Sequence, residues 1–166
     1  MSDLIEYVIR ACLIGAGATM AIDAWAALLG LAGVPSLSMS RLGRWVGHLA
    51  RGRWRHESIA TAQPIAGEAW IGWLAHYAIG IGFAAMLLAL CGLDWARSPS
   101  WPPAVGLGIG TVVAPLFILQ PGMGAGIASS RTPRPMFNAV KSLVTHTVFG
   151  LGLYLAARAT ALLLAG

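Results

Sequence analysis

Apolar positions in this chain come in long runs, and polar positions gather between them. Four runs, near 11–33, 69–92, 102–121 and 139–165, each reach the roughly 20 residues needed to cross a hydrocarbon core. A surface helix of a soluble protein would carry its charges along one face, and these runs do not. The pattern predicts an all-α fold: a four-span integral membrane bundle, one domain over 1–166, with connecting segments of about 34–68 and 122–138. The first run does not read as a cleaved signal peptide. Asp3 and Glu6 precede Arg10, whereas a signal n-region is positive, and the run is too long for a signal h-region.

One stretch of the first connecting segment has a different pattern. In "SLSMSRLGRWVGHLARGRWRH", Leu42, Trp45, Val46 and Leu49 share one helical face, and Arg41, Arg44, His48 and Arg51 share the other. Ser38 or Ser40 stands where an N-cap is favoured. A basic amphipathic helix of this kind lies in the headgroup layer and favours anionic lipid. The expected headgroup contacts are Arg41, Arg44, Arg51 and Trp45. A plain brace on the membrane surface is the simpler role for the same helix.

Composition agrees with the spans. The chain is 57% hydrophobic and 10% charged, with a mean hydropathy of +0.72. An average soluble domain carries roughly 25% charged residues, so no room is left for a soluble enzyme domain. Eight of the eleven Lys and Arg residues fall in or beside the two long connecting segments. The positive-inside rule makes that side cytoplasmic and turns both termini outward. The net charge of +5 is then a lipid-facing signal, with no nucleic-acid partner implied, because the arginines border spans and alternate with Trp and Leu. Cys12 and Cys91 read as small packing residues.

Polar residues inside the runs carry the candidate chemistry. In the first span, Cys12, Ala16, Thr19, Asp23 and Ala27 form a stripe of mostly small residues, the kind of face that packs against another helix in lipid. Asp23 therefore faces protein. The pattern H-x-x-x-G-x-G occurs twice, as "HYAIGIG" from His76 and "HTVFGLG" from His146. Gly80 and Gly150 each follow their histidine by four residues, on the same helical face, and are expected to clear space beside the imidazoles. At 1.5 Å per residue both histidines lie roughly 10 Å below the cytoplasmic surface. Asp23 and Pro115 reach the same level from the other two spans. Pro115 cannot donate to the carbonyl of Thr111, which is expected to be left free. The reading is two pseudo-repeated helical hairpins that bring His76, His146 and Asp23 into one pocket. Glu68 and Gln120 are candidate supporting residues at the ends of their spans.

The motifs "GATMAIDAW", "GWLAHY", "QPGMGAG" and "THTVFGLGLY" resemble those of a bacterial family of four-span inner-membrane proteins, a domain of unknown function. The resemblance covers nearly the whole chain. It implies this span count and a location in the bacterial inner membrane, and it brings no activity or cofactor with it.

Three functional readings follow. The first is a binding protein for haem or a transition metal, with His76 and His146 as ligands and Asp23 as a ligand or an orienting residue. The second is a small proton-coupled or solute transporter acting as a homo-oligomer, because ionisable groups within spans mark ion and substrate paths. The third is a structural or assembly protein in which the same residues hold helices together. No Ser–His–Asp arrangement or metal-protease helix motif points to an enzyme.

Overall fold

The computed structural model describes residues 2–164, and among them there is no strand. The elements are α1 (Asp3–Leu31), α2 (Met39–Leu49), α3 (Glu68–Arg97), α4 (Trp101–Gly110), a π-helical turn (Pro115–Leu119), α5 (Gln120–Gly122), a 3-10 turn (Ile127–Ser129) and α6 (Pro135–Leu163). Four segments are long and apolar enough to cross a membrane: Asp3–Leu31, Glu68–Arg97, Trp101–Gly122 and Pro135–Leu163. This is a multi-pass membrane protein built as a helical bundle.

Helix α1 begins well before its apolar run because its flanking charges find partners inside the bundle. Arg10 is buried, donating to the Glu6 carboxylate at 2.7 Å and to the Ala96 carbonyl at 2.9 Å. Arg97 donates to the other Glu6 oxygen at 2.7 Å. A buried charge is tolerated only when it is paired and hydrogen-bonded in this way. The cluster ties the start of α1 to the end of α3.

The third span is interrupted at Pro115, as its sequence predicts, but the Thr111 carbonyl is not left free. It accepts the Ala114 N–H at 3.0 Å, and Leu116 donates to Val112 at 3.2 Å. The backbone tightens ahead of the proline and widens into the π-helical turn after it, so the freed oxygen is satisfied locally.

Helix α1 packs against both α3 and α6, and α4 packs against α6. The buried centre holds Ile14, Ala18, Leu87, Leu88, Phe149 and Leu153. Helix α2 crosses α3 at Gly43 and Gly72, where any Cβ would run into the backbone of the other helix. The face expected to meet headgroups is thereby partly internal. Arg44 donates to both Glu68 oxygens, at 2.8 and 2.9 Å, and to the carbonyls of Ile59, Ala60 and Ala62. Trp45 donates to the Trp54 carbonyl at 2.7 Å. Arg41 and Arg51 stay exposed. Two backbone bonds, His56 to Gly122 at 2.9 Å and Ile59 to Met123 at 3.0 Å, join the first long loop to the second.

Candidate functional site

Asp23 and His76 face each other across the α1–α3 contact. The His76 Nε2 lies 2.9 Å from Asp23 Oδ1, and the Tyr77 hydroxyl donates to Oδ2, also at 2.9 Å. Both carboxylate oxygens are engaged. The side chains of His76 and Asp23 are 15% and 26% exposed, so the pair is accessible from a cavity without being open to the surroundings. Tyr77 was not foreseen, because neighbouring helical residues point in different directions. They converge here because each takes one oxygen of the same carboxylate.

His146 has a different partner. Its Nδ1 lies 2.8 Å from the Thr111 hydroxyl oxygen, and that hydroxyl donates to the Gly108 carbonyl at 2.6 Å. A hydroxyl has one proton to give. The Thr111 oxygen is therefore the acceptor, and His146 carries its proton on Nδ1.

The two glycines of the repeat are both points of helix contact, and Gly80 also lines a cavity with His76, whereas Gly150 lines none. Gly80 is where α1 touches α3: a Cβ there would collide with the Thr19 hydroxyl. Gly150 is where α4 touches α6: a Cβ would stand 2.8 Å from Val105 Cα and 2.9 Å from the Ala104 carbonyl oxygen. Each glycine lets the preceding span approach, and further along that span stands the partner of the histidine, Asp23 four residues past Thr19 and Thr111 six past Val105. The repeat therefore encodes helix contact.

A cavity of about 740 Å³ lies among α1, α2, α3, α6 and the π-helical turn. Asp23, His76 and His146 all line it, together with Thr19, Pro115 and Gln120. Thr111, Gly150 and Glu68 do not line it. Gln120 sits between Ser142 and Ser129, at 3.2 and 3.0 Å. Ser129, which sequence reasoning missed, is buried at a positive φ of 62°. Arg41 and Lys141 lie in the lining as well, and Lys141 also donates to the Pro35 carbonyl at 2.7 Å. Among the described residues no three His, Cys, Asp or Glu side chains gather as a metal site. Both cysteines are free thiols.

A family model described as "Protein of unknown function (DUF2938)" matches residues 12–160. The chain belongs to this family. The DUF2938 segment contains Asp23, His76, Tyr77, Thr111 and His146, and so the whole of the intramembrane arrangement. No curated protein and no solved structure matches the chain.

Proposed function

We propose that this membrane protein binds a small solute in the cavity beside Asp23 and exchanges a proton at the Asp23–His76–Tyr77 triad, as a proton-coupled carrier. The observation that carries the reading is the coincidence of a carboxyl group and a sizeable, half-open cavity. A central Asp costs about 2.5–3.5 kcal/mol on membrane-insertion scales, and this one lines a cavity of about 740 Å³. Ligand cavities in proteins commonly measure about 300–1,000 Å³. The lining is mainly apolar with a few convergent polar groups, which suits a small solute with an apolar body. Four spans are few for a complete path, so the carrier works as a homo-oligomer. The arginine distribution supports loops on the cytoplasmic side.

Haem or a transition metal on His76 and His146 is the competing reading, since each ring has one nitrogen outside the hydrogen bonds described. The donor set fits a bare metal ion less well: both Asp23 oxygens are taken, and among the described residues no third His, Cys, Asp or Glu joins the histidines. Infrared difference spectra of the purified protein between two pH values test the proposal. A carboxyl band that appears on acidification and vanishes in Asp23→Asn is expected, with its position shifted in His76→Gln. A Soret band or stoichiometric metal, lost in His76→Ala and His146→Ala, would replace the carrier with the haem or metal reading. Spectra without an Asp23 band, in a colourless and metal-free protein, would leave only helix packing.

A further inference from the structure

The two long loops frame a second, open cavity of about 490 Å³, which shares Glu57 and Ser58 with the first cavity but not Asp23, His76 or His146. Its lining is Arg53, Arg55, His56, Glu57, Ser58, Thr61, Ala62 and Arg131. Three guanidinium groups thus share one concave site with a single carboxylate. None of these arginines takes part in an ion pair among the described residues, and Glu57 is more than 4.0 Å from any cationic partner. The arginines that do structural work in this protein are bound to carboxylates or carbonyls: Arg10, Arg44 and Arg97. Arg53, Arg55 and Arg131 are a separate class, exposed and unengaged.

Their position is fixed by the backbone. Residues 53–62 come from the first loop and Arg131 from the second. The bonds from His56 to Gly122 and from Ile59 to Met123 hold the loops in register. The Arg131 N–H is bound to the Ala125 carbonyl at 2.9 Å. The chain therefore brings like charges together in a concave site, an arrangement suited to an anion. The His56 ring supports the same conclusion. It is 4% exposed, and neither ring nitrogen makes a full hydrogen bond, although the Arg53 carbonyl lies near enough to favour its protonated form. A buried imidazole normally makes at least one full hydrogen bond.

We propose that this second cavity holds a phosphate group, gripped by Arg53, Arg55 and Arg131 with Ser58 as a hydroxyl donor. Arginine forks match phosphate oxygens two at a time, and a doubly charged anion balances three cations set against Glu57. The phosphate belongs to a lipid headgroup or to a free small anion. The chemistry is the same, and the experiment separates the two sources.

The intact protein is prepared in phosphatidylcholine nanodiscs with and without phosphatidic acid, and separately in detergent with inorganic phosphate. Native mass spectrometry counts retained phosphatidic acid, and phosphorus NMR follows inorganic phosphate. The double variant Arg53→Gln, Arg131→Gln is expected to weaken the observed binding tenfold or more. Arg158→Gln, far along α6, should leave it unchanged. Thermal melting checks the fold, and if the double variant unfolds, Arg55→Gln carries the test with a threefold or greater loss. Retention of phosphatidic acid without a response to inorganic phosphate assigns the site to lipid, and saturable binding of inorganic phosphate assigns it to a free anion. Failure of the wild type to bind either probe, or equal binding by wild type and cavity variants, overturns the proposal.

Discussion

The α1–α3 and α4–α6 hairpins solve one packing problem in the same way and then diverge. In each, a histidine on the second helix is held by a polar residue of the first, one turn from a glycine where the two helices touch. His76 meets Asp23 with Gly80 against Thr19, and His146 meets Thr111 with Gly150 against Val105. The partners differ in kind. The Thr111 hydroxyl donates a hydrogen bond to the Gly108 carbonyl, so that chain ends in a group without an exchangeable proton. Asp23 is a carboxyl group shared by an imidazole and a phenol. Shared geometry thus gives one hairpin a single neutral hydrogen bond and the other a carboxyl group bonded on both oxygens, on which the proposed proton exchange rests.

Removing the two partners should separate the hairpins most clearly. Asp23→Ala leaves both His76 and Tyr77 without an acceptor, and hydrogen bonds to charged groups contribute about 1.5–3 kcal/mol each. Because the two bonds share one carboxylate, a combined loss of about 2–4 kcal/mol is expected. Thr111→Ala removes one neutral bond, about 1 kcal/mol. Equilibrium unfolding of both variants in detergent measures the difference. Equal losses would mean that the carboxylate adds nothing beyond what the hydroxyl does, and the distinction between the hairpins would fail.

The glycines sharpen the same comparison with a smaller effect. A methyl at Gly150 meets the backbone of α4, which cannot rotate away. A methyl at Gly80 meets chiefly the Thr19 hydroxyl. Overpacking of this kind costs about 1–3 kcal/mol, partly offset by the better helix propensity of Ala. Gly150→Ala should show most of that loss under any background. Gly80→Ala should recover most of its loss when Thr19→Ala is added. A Gly80 variant that Thr19→Ala does not rescue would place the obstruction in the α1 backbone and make the two contacts alike.

The spans were legible because a hydrocarbon core imposes length and apolarity on contiguous residues, and both can be counted along the chain. The repeat was legible as a spacing, but its meaning was not. A glycine beside a histidine is compatible with open space or with close helix contact, and only the neighbouring helix decides between them. Asp23 was recognisable from the stripe that carries it. Its second donor, Tyr77, was hidden by its place next to His76 in the sequence. Arg44 and Trp45 matched an amphipathic pattern and still turned inward, because residues 54–62 fold back over α2 and present carbonyls to them. Such a cover depends on a turn that no periodicity records. The start of α1 was missed for a related reason: Glu6 and Arg10 look like a polar flank until Arg97 and Ala96 come round to meet them.

The histidines within the membrane both have partners, and His56 in the loop supplies the contrast. Burial, followed by the neighbouring His48 and the charge on Arg53, holds its pKa below the ordinary 6.5. The His48 ring is 4.9 Å away, edge-on. In the unfolded chain His56 takes up a proton at its ordinary pKa; in the folded chain it resists until a lower pH. Between those values the unfolded state binds more protons, so stability rises with pH there. The contribution is complete above about 6.5 and is lost as the pH falls through the folded value. Melting curves of wild type and His56→Phe across that interval measure it. The wild type should lose stability on acidification more steeply than the variant, by at most one proton's worth of slope. Parallel curves would mean that the loop packs loosely enough to admit a charged His56, and the contrast with the partnered histidines of the membrane would disappear.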